Sequence, residues 1–341
     1  MLTAATDRGE RVSALLAGAW RPAPPAPTLT EDAVADLVPL LIKTGAGALA
    51  WWRLRAAAPS GPTLRALHQA YRAQTLDARL HEERIARAIG LLRRTGIEPL
   101  LIKGWAAARL YPHAGLRPYG DIDLVVRHAE RARAAAALSD HDGQTCRVDL
   151  HDAIEALDTP LEALFERSRL VKLGDLRVRV PGAEDHLVLL CLHMLRHGAW
   201  RPVWLCDVAA AVEALGPDAV LTRSLPAEPR RAHWVACALG LAERLLEARV
   251  PAHLGAPPPA WLTRAVLEQW ARDEHYMHGP SMSFALRRPR LLADALRLRW
   301  PNAIQATVEL GGAFNDLPRL PFQVGECVRR IGHAVVTTCT R

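Results

Sequence analysis

Asp121, Asp123 and Asp149 carry the clearest chemical signal in this sequence. Asp121 and Asp123 are one residue apart at the head of an apolar run, DIDLVV, and Asp149 stands in a second run, RVDLH. On a strand, side chains alternate between faces, so Asp121 and Asp123 share one face while Ile122 and Leu124 turn to the core. Two like charges so close repel each other, and a cation between them relieves the repulsion. Carboxylates are the hard oxygen ligands that Mg²⁺ prefers. Asp149, on a further strand, is the natural third carboxylate, able to hold a second ion and to take the proton from an attacking hydroxyl.

Upstream, the run LLI ends in Lys103-Gly104. Glycine lets a ligand approach the backbone closely. The amides of Gly104 and Trp105, at the start of a short helix, point at an anion. Lys103 and Arg117 supply positive charge for phosphate oxygens, Arg117 with a bidentate fork. These are the parts that phosphoryl transfer from a nucleoside triphosphate requires: bridging metal, positioned nucleophile and phosphate donors.

The elements that must hold these residues follow from the change of hydrophobic period. Before residue 96 the pattern is helical. TEDAVADLVPLLIKTG reads as one helix with Thr30 as N-cap, stopped by Gly45 or Gly47. From Thr63 to Gly96, Leu64, Leu67, Tyr71, Leu76, Leu80, Ile85, Ile89 and Leu92 step by three and four, which predicts one buried stripe. The period then shortens. Strands are expected near Glu98–Ile102, in DIDLVV and in TCRVDLHDAIE, with a helix in HAERARAAAAL, a turn at HDGQ and a hairpin or edge strand in LGDLRVRVPG. From Ala183 helices resume, including EDHLVLLCLHMLRHG, WRPVWLCDVAAAVEALG and PRLLADALRLRW. The expected fold is α+β, a small mixed β-sheet core embedded between mostly helical regions. Its divisions are residues 1–95 (helical), 96–182 (sheet core) and 183–341 (helical).

Composition sets the bounds. A chain of 341 residues with 50% hydrophobic content can build a large core. No apolar stretch reaches the roughly 18 residues of a membrane span, and the first thirty residues lack a signal-peptide core. A cytoplasmic protein without a membrane partner is expected. The six cysteines form no C-x-x-C pair and read as buried free thiols. The net charge of +7 suits an anionic partner, but it arises from arginines spread along the chain and forms no basic block.

The ordered elements LLIKGWAAARLYPHAGLRPYGDIDLVV, VDLHDAI and LCLHMLRHGAWRPVWLCDV resemble the bacterial branch of uncharacterised nucleotidyltransferases within the DNA polymerase beta-like superfamily. The likeness extends over about residues 10–310. It implies transfer of a nucleoside monophosphate from an NTP to an acceptor hydroxyl with pyrophosphate release and two Mg²⁺ ions. Asp121, Asp123 and Asp149 would be catalytic and metal-binding, and Lys103, Gly104, Trp105 and Arg117 would bind the nucleotide. The superfamily more often has Gly-Gly or Gly-Ser where this chain has Gly104-Trp105. His151, His193, His197 and Asp207 are candidates for positions around the metal ligands or in the acceptor site. His193 and His197 have zinc-ligand spacing, i and i+4, but no third ligand is evident. The acceptor is unnamed by the sequence; a small molecule or peptide is favoured, with RNA as a further class. Two rival readings stand beside this one: a catalytically silent nucleotide- or partner-binding accessory protein on the same fold, and a toxin-like enzyme modifying tRNA.

Overall fold

The computed structural model describes residues 2–27, 29, 31–56, 61–139, 141–273 and 299–339. Helices α1 (Leu2–Leu16), α2 (Glu31–Ala35), α3 (Val38–Thr44), α4 (Gly47–Leu54) and α5 (Pro62–Arg94) lead to the sheet. The middle of the chain holds β1 (Leu100–Ile102), α6 (Gly104–Ala108), β2 (Ile122–Val125), α7 (Arg131–Ala137), α8 (His141–Cys146), β3 (Val148–His151), α9 (Leu161–Arg167), β4 (Arg169–Leu173) and β5 (Leu176–Val180). Then come α10 (Ala183–Arg196), α11 (Pro202–Leu215), α12 (Pro229–Leu246), α13 (Ala260–Trp270), α14 (Ala303–Glu309) and α15 (Leu320–Cys339). The fold is α+β, as the change of period predicts.

The sheet has five strands in the order β3-β2-β1-β5-β4. β1 runs antiparallel to β2, while β2 and β3 are parallel, as are β1 and β5. β4 and β5 form the expected hairpin. Alternation divides the two faces of the sheet between two cores. Leu101, Ile122, Leu124 and Val178 pack with Ile85, Ile89 and Leu92 of α5. Leu100, Ile102 and Val125 turn the other way, into a larger core shared with α10, α11 and α12. Asp123 lies on this second face, two residues before Val125. The same large core takes in Val12 and Leu15 of α1 and Leu262 of α13, so α1 packs with the C-terminal helical layer.

Several expectations need correction. The predicted single helix at TEDAVADLVPLLIKTG is two helices, because Pro39 lies in the first turn of α3 and cannot sit inside a helix. Gly45 ends α3 in the left-handed conformation, at φ +82°; Thr30 lies outside the described residues. The stripe on α5 is buried only at its ends. Leu67, Ile85, Ile89 and Leu92 are buried, but Leu76 is 63% exposed and Leu80 43%. The N-terminal half of α5 packs on α4 and its C-terminal half on the sheet layer, so the middle spans the gap between the two cores. HDGQ is not a turn but the first part of α8, which buries Cys146. Cys146, Cys191, Cys206 and Cys237 are buried thiols outside any disulfide, and Cys327 is partly exposed. Of PRLLADALRLRW only the last two residues are described. Among the described residues no helix is long and apolar enough to cross a membrane.

The loop from Tyr111 to Gly120 is clamped against α5 at Gly115. Its φ is +87°, and a Cβ there would fall 2.6 Å from both Cα and N of Thr75. Backbone atoms of a packed helix cannot move aside. Gly115→Ala is therefore expected to cost about 1–3 kcal/mol, the usual range for overpacking, read as a lower urea midpoint. An unchanged midpoint would show that the loop is free to lift from α5.

Candidate active site

The register of β2 against β3 sets Asp123 directly beside Asp149. His151 follows Asp149 by two residues, so alternation brings its ring to the same face. Its Nε2 lies 3.2 Å from an oxygen of each carboxylate. One ligand atom from each of Asp123, Asp149 and His151 falls within 4.8 Å of the other two, a grouping that could hold a metal ion. Two carboxylate oxygens and an imidazole nitrogen suit a divalent cation; the imidazole admits Mn²⁺ or Zn²⁺ as readily as Mg²⁺. Asp121 is not part of this trio. β2 begins at Ile122, and Asp121 is exposed in the loop before it.

Asp123 is buried at 8% exposure, and burial opposes its ionisation. The hydrogen bond to His151 and the ammonium of Lys103, 2.7 Å away, outweigh this and hold its pKa below the ordinary carboxylate value. Lys103 is positioned by an uncommon backbone, φ +52° and ψ −137°, where β1 turns into α6. A non-glycine residue pays strain for such a conformation. Gly104 follows at φ +21°, and a Cβ there would press on the Asp121 carbonyl at 3.3 Å. The Lys-Gly pair thus makes the tight corner that lays the strand end against the loop carrying Asp121. Trp105 is buried below this corner, its Nε1 3.4 Å from Glu82 on α5.

Arg117 is placed differently from the phosphate role expected of it. Its Nε and Nη2 donate to Asp207 of α11, the closest contact being 2.7 Å, and Nη1 donates to the Pro118 carbonyl. The Tyr111 hydroxyl donates to the same carboxylate at 2.8 Å. Arg117, Asp207 and Tyr111 are all buried. Burial works against the Arg117 charge, but Asp207 more than compensates and leaves its pKa raised. Burial and Asp207 together raise that of Tyr111. This is a buried two-ended clamp holding the Tyr111–Arg117 loop on the helical core.

A model of a family described as uncharacterised nucleotidyltransferase matches residues 30–247. The chain belongs to that family. Comparison with curated proteins and with solved structures gives no match. The family match, together with the Asp123–Asp149–His151 grouping, supports nucleotidyl transfer as the general activity of this nucleotidyltransferase chain.

α10 and α11 bring a second group of aromatic rings together. His193 and His197 face each other at 4.5 Å between ring centroids, and both pack on Trp204. Burial pushes the His193 pKa down to about 3, with His197 and Lys103 adding to the effect and Asp123 opposing it. The pair is thus a neutral aromatic surface within the field of Lys103 and Asp123, and among the described residues no third ligand converges on it. On the α5 side, His81 packs against Tyr119 at 5.4 Å. Burial and Arg84 lower its pKa, while Asp77 and Asp121 oppose. Neither His81 nor Arg201, which stands at the N-cap of α11, is marked out by spacing or motif. Their place at the site depends on contacts that sequence periodicity does not encode.

Two outcomes follow from these buried groups. Asp207→Ala leaves the Arg117 charge buried without a partner and is expected to cost about 3–5 kcal/mol. Converting Arg117 to Met and Asp207 to Leu together should recover part of that loss in denaturant unfolding. A loss under about 1 kcal/mol for Asp207→Ala would mean that the clamp is not under stress. His186 is also pushed down to about 3, by burial and then by Arg109. Both histidines are lowered on folding, so the unfolded chain binds more protons between pH 6.5 and about 3. Stability should be full above about pH 6.5 and fall as pH drops. His193→Gln should make that fall shallower; an identical slope would place His193 in water.

Proposed function

We propose that this chain transfers a nucleoside monophosphate from an NTP to an acceptor hydroxyl, releasing pyrophosphate. The observation that carries the reading is the pairing of Asp123 and Asp149 on adjacent parallel strands, with His151 at both carboxylates and Lys103 at Asp123. Asp123, Asp149 and His151 would hold the divalent cation. Mg²⁺ is the proposed ion, with two expected; Asp121 at the mouth offers a carboxylate for the second. A bound divalent cation would withdraw charge from the α-phosphate and lower the pKa of the attacking hydroxyl.

The chain's own residues then divide the remaining work. The side chain of Asp149 is 64% exposed on an edge strand, open to an incoming acceptor, and it takes the hydroxyl proton. The Lys103 ammonium, paired with Asp123 while that carboxylate holds no cation, turns to the phosphate oxygens. Gly104, lacking a Cβ, lets the phosphate reach the backbone amides at the corner. Trp105 supports that corner from below. Arg117 acts through Asp207, fixing the loop that presents Asp121. His193 and His197 line the side where a base or an acceptor would rest. The acceptor is proposed to be a small molecule or a peptide, because the +7 charge comes from arginines spread along the sequence and forms no basic block.

Incubation with α-labelled NTPs, Mg²⁺ and a cell extract should transfer label to one acceptor fraction. Asp123→Asn and Asp149→Asn should each lower transfer by about 10³-fold or more, near 4 kcal/mol of barrier, without shifting the unfolding midpoint of Asp149→Asn. Undiminished transfer in both variants would sink the assignment. Mg²⁺-dependent stabilisation by NTP without any transfer would favour the accessory-protein reading.

A further inference from the structure

The site needs positive charge for a polyphosphate, and the arginine that the sequence offers for it is already spent on Asp207. A second guanidinium lies nearby in a different condition. Arg201, half-buried at the N-terminus of α11, donates from Nε to the Thr44 carbonyl at 3.2 Å. Its guanidinium carbon sits 5.7 Å from the ring centroids of both Trp200 and Trp204. Among the described residues no carboxylate reaches ion-pair distance of it, and its two Nη groups make no hydrogen bond. Burial lowers its pKa and Arg117 adds to this, with Asp207 and Asp121 opposing. A partly desolvated cation without an anion costs free energy unless something supplies the charge.

The surroundings say where that anion would come from. A Cβ on Gly45 would fall 2.6 Å from Nη2 of Arg201 and 2.9 Å from Cγ of Pro118. The guanidinium and the head of the loop that runs from Pro118 to Asp121 therefore meet at Gly45, whose missing side chain leaves room for both. Trp204, under the same guanidinium, touches His193 and His197, which feel the charges of Lys103 and Asp123. Arg201 and Lys103 thus stand on two walls of one site, around the acidic centre. Thr44 and the tryptophans fix the plane of the fork, and a fixed fork matches phosphate oxygens better than an ammonium does.

The geometry points to Arg201 as the residue that receives the polyphosphate tail of the donor nucleotide, taking the place that Arg117 cannot fill. This rests on the nucleotidyl-transfer reading above. During transfer the bond between the α-phosphorus and its bridging oxygen breaks, and the electron pair leaves on pyrophosphate. Arg201 would stabilise that leaving charge by hydrogen bonds, with no covalent part in the step.

The test is calorimetric binding of MgATP and of inorganic tripolyphosphate with Mg²⁺ to the full chain. Wild type should bind both. Arg201→Met should weaken both by about 30-fold or more, as expected for truncating a charge that faces a desolvated anion. Arg201→Lys should lie between the two, because the charge stays and the fork is lost. Arg223→Met, which removes an exposed arginine and lowers net charge equally, should bind like wild type. The unfolding midpoint of Arg201→Met should not fall, since an unpaired cation is removed. Tripolyphosphate binding by Arg201→Met equal to wild type, or an equal loss in Arg223→Met, overturns the role of Arg201 alone. Failure of wild type to bind either ligand overturns the nucleotide reading itself, and this proposal with it.

Discussion

The site depends on one buried ion pair. Arg117 and Asp207 lie on parts of the chain 90 residues apart, one in an irregular loop and one in the middle of α11. A loop carries little packing of its own, so its position must be imposed by contacts at a few points. Here the Arg117 fork, the Tyr111 hydroxyl and the close approach of Gly115 to α5 fix it at three places. The clamp gives the loop one position and thereby sets where Asp121 and Tyr119 meet the corner at Gly104. A buried pair of this kind adds little net stability against an apolar substitute, but losing one half is costly. Its value to this fold is a defined geometry.

The acidic centre shows the same logic at shorter range. Asp123 and Asp149 are forced together by strand register, which is set by the hydrophobic residues between them and not by any attraction of the carboxylates. Lys103 offsets part of the charge that this creates, from a backbone conformation that costs strain, and His151 lies within hydrogen-bond distance of both carboxylates. Packing of Ile122 and Leu124 against α5 supplies the free energy that holds these unfavourable elements in place.

Much of this was legible in the sequence, and what was not has identifiable reasons. The Lys103-Gly104 corner, β2 and β3 could be read because strand alternation and glycine conformation are local properties. The same alternation brought His151 beside Asp149. Asp121 escaped it, because the strand starts one residue later than the pattern suggests, and helix and strand ends are where local pattern is weakest. Arg117 was readable as a cation but not as one already partnered, since Asp207 is on a distant helix and one apolar face of α11 looks like another. Arg201 gave no signal for the same reason. Leu76 and Leu80 kept the helical period but lie over the gap between two cores, and period alone does not tell which part of a long helix is covered.

The separation of the clamp's halves has a consequence during synthesis. At about 5–20 residues per second, Asp207 is added roughly 5–20 s after Arg117. Once Val180 has been added the strands β1 to β5 are complete in sequence, but the loop before Asp121 still has nothing to grip. A nascent chain at that point holds an unpaired guanidinium and a sheet face without its helical cover, since α10 and α11 are still to come. Timing on the ribosome thus makes the second half of the chain the switch that turns a set of correctly spaced residues into a shaped cleft. Premature termination between β5 and α10 would release a protein with its acidic centre present in sequence and its helical cover missing.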